Sequence, residues 1–159
     1  MNTKVAQFVS IMLYVLVAGV MWGTWLSLAR TMNSYDALTF LTDGKHMISN
    51  LATVMAVLMI AAVVAGLVTV VLLFRNGART AGWLALAGLV LMVSVMAVTL
   101  AVEVPIDNQI AIWTVDTLPA NWMDIRARWA SFHTLRTFLS MASVAAALAA
   151  ALSAPQVGS

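Results

Sequence analysis

The chain has 159 residues, of which 63% are hydrophobic and 9% charged, with a formal net charge of +2. A soluble domain carries roughly a quarter charged residues, so an ordinary soluble domain, a disordered chain and a nucleic-acid-binding module are all excluded. There is no cysteine, which removes disulfides, thiolate metal sites and thiol redox chemistry.

What remains is an integral membrane protein. About 30 Å of hydrocarbon takes roughly 20 helical residues to cross. Four segments reach that length, near residues 5–29, 51–74, 80–102 and 130–154. Runs such as Ile60-Ala61-Ala62-Val63-Val64-Ala65 lack the period-two alternation of a membrane β-barrel. The fold class expected is therefore all-α: one antiparallel four-helix membrane domain over residues 1–159.

The first span, Val5 to Ala29, follows Lys4 as a signal peptide would. Its apolar run is longer than a signal's and contains Trp22 and Trp25, so a retained span is expected. Between the first two spans, residues 30–50 read as a long loop carrying Arg30, Asn33, Asp36, Asp43, Lys45 and His46. Small residues at four-residue spacing (Gly19 and Gly23, Ala62 and Gly66, Ser143 and Ala147) suit close helix approach in lipid. Met55/Met59 and Met92/Met96 read as flexible packing rather than a thioether copper site. The second and third spans are joined by the short, acid-free turn Arg75-Asn76-Gly77-Ala78-Arg79. The third ends at Glu103, and Pro105 disfavours helix at Val104, so a turn is expected there. Asp107 then reads as the N-cap of a short helix from Asn108 to Trp113. Asp36, Asp43 and Asp116 read as solvated loop residues.

A fourth helix of about 30 residues is expected to start above the membrane. Pro119, Asn121 and Asp124 resemble a capping box at its start. From there Trp122, Arg126, Trp129, His133 and Arg136 recur at steps of 4, 3, 4 and 3, which places them on one helical face. The bland reading is an interfacial stripe of snorkelling side chains. Against it, a charge as deep as Arg136 demands a partner, and Glu103 is the obvious one. Both histidines of the chain, with Glu103 and Asp107, fall at the same end. His46, Glu103, Asp107 and His133 are thus a candidate shell for one iron, copper or zinc ion.

Sidedness follows from the cations. Lys and Arg divide three against four between the two ends, which decides nothing until Arg126 and Arg128, which are read as serving another role, are discounted from the four. Lys4, Arg75 and Arg79 flank spans with no acidic neighbour. That leans toward termini in the cytoplasm and long loops outside.

The run from Glu103-Val-Pro-Ile-Asp-Asn-Gln to Ile110, then Trp122, then Arg126-x-Arg-Trp129-x-x-x-His133-x-x-Arg136-Thr137, resembles the anthrone oxygenase-like family of small four-helix membrane proteins. In that family a polar-Val-Pro-Leu/Ile-polar turn closes helix three, and a Trp-rich helix with a His-x-x-Arg ending opens helix four. This chain departs from the pattern with Glu103 and Asp107 where many members have Asn. The resemblance implies a monooxygenase-like enzyme that converts an anthrone- or quinol-type apolar aromatic to a quinone with O₂.

Set against that chemistry, His133 suits a general base, and Arg136 and Arg126 suit stabilisation of an oxyanion. Glu103 suits orientation of His133 or pairing with Arg136. Trp122 and Trp129 suit stacking on a flat ring, and Trp113 and Asn108 complete the expected substrate-binding group. A cofactor-free route and a single-metal route both stay open. The competing class is a non-catalytic membrane subunit or small-molecule-binding protein, and a homo-oligomer is compatible with either. A transporter is least favoured, because inverted repeats and mid-membrane charges are lacking.

Overall fold

The computed structural model describes residues 2–154. It is all-α, with no strand among the described residues. Helix α1 spans Thr3–Thr24, α2 Ala37–Arg75, α3 Arg79–Val98, α4 Val104–Ile112 and α5 Trp122–Ser153. Four helical segments are long and apolar enough to cross a bilayer: Thr3–Ser34, Ala37–Arg75, Arg79–Ile112 and Trp122–Ser153. The large side chains they turn outward are apolar, among them Phe8, Val57, Val64, Leu67 and Phe138. The chain is a multi-pass integral membrane protein. The helices form a ring in which α1 packs on α2 and α5, and α3 packs on α2 and α5.

Local chemistry sets the element boundaries. Asp36 caps α2 by accepting the Thr39 amide at 2.8 Å, and that bond holds its carboxyl below the usual aspartate range. Helix α2 therefore begins at Ala37, and the expected long loop shrinks to the connection before Asp36. Asp43, Lys45 and His46 lie on the helix instead. The apolar run marks only the part of α2 able to sit in hydrocarbon; its polar first turns are stabilised by capping and by packing of Phe40 and Leu41. At the other end, Gly77 adopts φ 75°, where a side chain is disfavoured, and allows the tight reversal into α3.

The chain does not turn at Pro105. Helix α3 passes through a π-turn, Thr99–Glu103, directly into α4. There the Val104 amide reaches back to the Thr99 carbonyl, five residues away. The extra residue places Pro105 in the first turn of α4, where a missing N–H costs nothing. Asp107 is consequently inside α4 and caps no helix. Helix α5 starts near the expected place, but Asn121 makes no side-chain cap bond; the expected box does not form, and backbone bonds from Asp124 and Ile125 to the Asn121 carbonyl close the first turn.

The core divides along the bundle axis. A lower cluster holds Val70, Leu73, Ala85 and Leu89, and a middle one Tyr14, Met21, Met59, Met92 and Val95. An upper one, at the long-loop end, holds Phe40, Leu41, Ile106, Ile110, Trp113 and Trp129. Close approach uses only some of the expected small residues. A Cβ on Gly88 would meet the Ser143 carbonyl at 3.1 Å and the Ala147 nitrogen at 3.4 Å, whereas one on Gly19 or Gly23 would meet nothing within 4 Å. Those two face outward and hold no helix pair together. Gly88→Leu is therefore expected to lower thermal stability in detergent by about 1–3 kcal/mol through overpacking, while Gly19→Leu leaves it unchanged or higher.

Candidate functional site

The stripe on α5 does face inward, but its members serve two separate places. At the top, Arg126 donates from Nη1 to the Tyr35 carbonyl at 2.7 Å and from Nη2 to the Asn33 carbonyl at 2.9 Å. Its guanidinium lies 4.7 Å from the Trp122 ring centroid, and Trp122 stacks on Phe40 at 5.5 Å. This is a latch that ties α5 to the connection between α1 and α2. Carbonyls left free by a short helical turn need donors, and a planar guanidinium supplies two at once.

One turn lower, a continuous network begins. Trp129, 1% exposed, donates its indole N–H to Asp107 Oδ1 at 3.0 Å. Its ring lies parallel to that of His133, with centroids 4.8 Å apart. Arg136 Nη2 donates to His133 Nδ1 at 2.9 Å, and Nη1 donates to Thr99 Oγ1 at 3.1 Å. Because a guanidinium cannot accept, Nδ1 presents its lone pair and the imidazole proton resides on Nε2. That nitrogen donates to the Met21 carbonyl of α1 at 3.2 Å.

Arg136 Nη2 also stands 3.0 Å from Glu103 Oε2. Glu103 is fully buried, yet neither of its carboxylate oxygens receives an aligned hydrogen bond. The contact is thus Coulombic, off the N–H axis. The π-turn matters here, since Thr99 and Glu103 are its first and last residues and both meet Arg136. Single π-turns within α-helices concentrate at functional sites. A second, Trp25–Ala29, lies opposite on the first segment, where Trp25 donates its N–H to Thr134 of α5 at 3.1 Å.

Beside this network is a cavity of about 380 Å³, lined by Val20, Met21 and Thr24 of α1, by α2 from Met47 to Ile60, and by Met96, Thr99, Leu100, Val104, Asp107, His133 and Arg136. Its walls are apolar and rich in methionine (Met21, Met47, Met55, Met59 and Met96). Its ionisable lining side chains are Asp107, His133 and Arg136, with Thr24 and Thr99 the other polar ones. Counted at about 1.5 Å per residue from the Arg75–Arg79 turn, Met55 and Thr99 lie ~30 Å up, at the edge of the hydrocarbon.

The sequence-level candidates therefore separate. Glu103 and His133 both meet Arg136, and Asp107 joins the same network through Trp129, which stacks on His133. Arg126 does not join them. Trp122, Trp129, Trp113 and Asn108 do not line this cavity: Trp122 is stacked in the latch, Trp129 is buried against His133, Trp113 is buried in the upper cluster and Asn108 is exposed. These indoles pack on the protein's own rings, Trp122 on Phe40 and Trp129 on His133, where they help to exclude water from buried charge. The four-residue metal shell does not form; among the described residues no group of three His, Asp or Glu side chains stands close enough to share an ion, and His46 is exposed on α2. Sequence reasoning missed Thr99, the Met21 carbonyl and the methionine walls. The only signal for the last was the i, i+4 methionine spacing, which buried packing explains equally well.

Residues 38–146 match the family model described as anthrone oxygenase, and the chain belongs to that family. No curated protein and no solved structure matches it.

Removing one member of a buried charge pair leaves the other unpaired, at a cost of about 3–5 kcal/mol. Glu103→Ala is expected to lose that much stability in detergent unfolding. The double variant Glu103→Ala/Arg136→Met is expected to recover most of it. An additive loss in the double variant would show that the two charges are not coupled.

Proposed function

We propose that this member of the anthrone oxygenase family binds a flat, apolar aromatic ketone in the methionine-lined cavity and oxidises it with O₂. The observation that carries this reading is the presence of Asp107, His133 and Arg136 together in the lining of a largely apolar cavity of about 380 Å³, a size within the usual ligand range.

An anthrone-type ring has one acidic C–H position across from its carbonyl. In the proposed reaction the ring lies among the methionines with its carbonyl oxygen at Arg136. Asp107, whose Oδ1 is taken by Trp129, receives the C–H proton on its other oxygen. The C–H electron pair moves into the ring and leaves negative charge on the carbonyl oxygen, where a pre-positioned guanidinium stabilises it. O₂ then adds at the carbon, the peroxide takes the proton back from Asp107, and the hydroperoxide loses water, its second C–H proton leaving as the O–O bond breaks, to form a second carbonyl. Anthrone and O₂ thus become anthraquinone and water, which balances without an external reductant.

His133 acts here as a positioning residue. Its Nδ1 lone pair is already engaged by Arg136, so it orients the guanidinium and is not free to take a substrate proton. No step is routed through a metal, since the candidate ligands do not converge. We further propose that residues 1–159 form one four-span unit with both termini in the cytoplasm, since Lys4, Arg75 and Arg79 flank the short-turn end without acidic neighbours.

The test is anthrone-dependent O₂ uptake by the purified chain in lipid nanodiscs. Asp107→Asn and Arg136→Gln are each expected to lower the rate by at least ~10². Arg126→Lys, remote from the cavity, should alter stability more than rate. Anthrone binding without O₂ uptake would sink the enzymatic reading in favour of a small-molecule-binding protein.

A further inference from the structure

The cavity has two sides with different neighbours. Toward the long-loop end it is stopped by the upper cluster, where Phe40, Ile110 and Trp129 are 1–2% exposed. There α2 and α4 touch: a Cβ on Gly44 would stand 3.2 Å from Ile110 Cγ2. Lys45 reinforces the closure by donating Nζ to the Trp113 carbonyl at 2.6 Å. Toward the short-turn end α2 closes on α3 again, where a Cβ on Gly66 would stand 3.2 Å from Leu89 Cδ1.

Between those two closures the lining residues are exposed as well. On α2 they are Ala52, Ala56 and Ile60, one helical row at i, i+4 and i+8. Facing them are Leu100, in the π-turn, and Val104 at the start of α4. Ile60 is 59% exposed and Leu100 61%. All five are apolar, and two of the three on α2 are alanines, so the gap is bordered by the smallest side chains a helix offers. Counted the same way, the row runs from ~5 Å above the hydrocarbon edge at Ala52 to ~8 Å below it at Ile60, so its lower part opens at a depth where an aqueous opening would be lined by polar groups.

We propose that the cavity is filled sideways from the bilayer through this mouth, and that Ala52 and Ala56 set the width of molecule admitted. The ligand class is a flat, membrane-dissolved ring with one polar oxygen at its leading end, which would meet Asp107, His133 and Arg136 after its apolar body has passed the alanines. The proposal rests on the reading that this cavity is the ligand site, but its test does not depend on oxidation.

The chain has no cysteine, so one introduced thiol reports without background. Met59 lines the cavity and is 3% exposed. The Met59→Cys variant in lipid nanodiscs is expected to react with N-(1-pyrenyl)maleimide, a flat reagent delivered through the bilayer, and to resist a charged trimethylammonium thiosulfonate supplied in water. Adding Ala56→Trp should slow the pyrenyl reaction by roughly tenfold or more by filling the mouth. Adding Val57→Trp, on the outward face of the same turn, should not. The same pair on Met55→Cys gives the readout if Met59→Cys fails to fold. Equal labelling with and without Ala56→Trp would overturn the proposal, as would labelling by the charged reagent at the pyrenyl rate. Loss of anthrone oxidation with these labelling ratios intact would defeat only the proposed reaction.

Discussion

A guanidinium buried near the edge of the hydrocarbon is the constraint from which the upper half of this bundle follows. A charge there is costly unless it is paired and hydrogen-bonded, and Arg136 obtains its partners from the third segment and from its own helix. Thr99 and Glu103 come from the third segment. His133 comes from its own helix and is itself fixed by the Met21 carbonyl of α1. Satisfying one side chain thus holds α1, α3 and α5 at fixed heights. Trp129 extends the same network to Asp107 and covers one face of the imidazole, so that water is kept from the pair.

Helix α2 is left out of this arrangement at the corresponding level. It is held above by Gly44 against Ile110 and below by Gly66 against Leu89; between them Met59 packs into the middle cluster, but a space is left between α2 and Asp107, His133 and Arg136. The cavity is the space so created. Methionines suit such a space, since an unbranched thioether side chain conforms to irregular shapes without a fixed packing demand. A rigid charged network on one wall and an adaptable apolar wall opposite is the usual division of labour in a site that fixes one end of a ligand and tolerates variation in the rest.

Much of this was legible in the sequence. The four apolar runs and the scarcity of charge dictated the membrane fold. The 4-3-4-3 spacing placed Trp122 through Arg136 on one face, and the expense of a charge in a span pointed Arg136 at Glu103. What escaped were features decided by backbone geometry and by competition between contacts. Pro105 read as a stop because a regular α-helix cannot accommodate it, and a π-turn is not written in residue types. The upper turns of α2 carry too many polar residues to register as a span, yet Asp36, Phe40 and Leu41 make them helical. Arg126 and Arg136 lie on the same face and are chemically alike, so pattern alone could not separate a latch from a site. The tryptophans were read as ring-stacking surfaces because tertiary partners for an indole are invisible in one chain's periodicity.

The π-turn at Thr99–Glu103 has one more implication. It is an α-helix carrying one surplus residue, and each α-helical residue advances the chain by about 100° of rotation. Excising a single residue from that turn would restore regular winding and swing all of α4 through that angle, carrying Asp107 away from Trp129 and the cavity with no side chain changed. Whether this wall is polar or greasy therefore depends on a count, a phase offset of one residue, as much as on the identity of any residue in it.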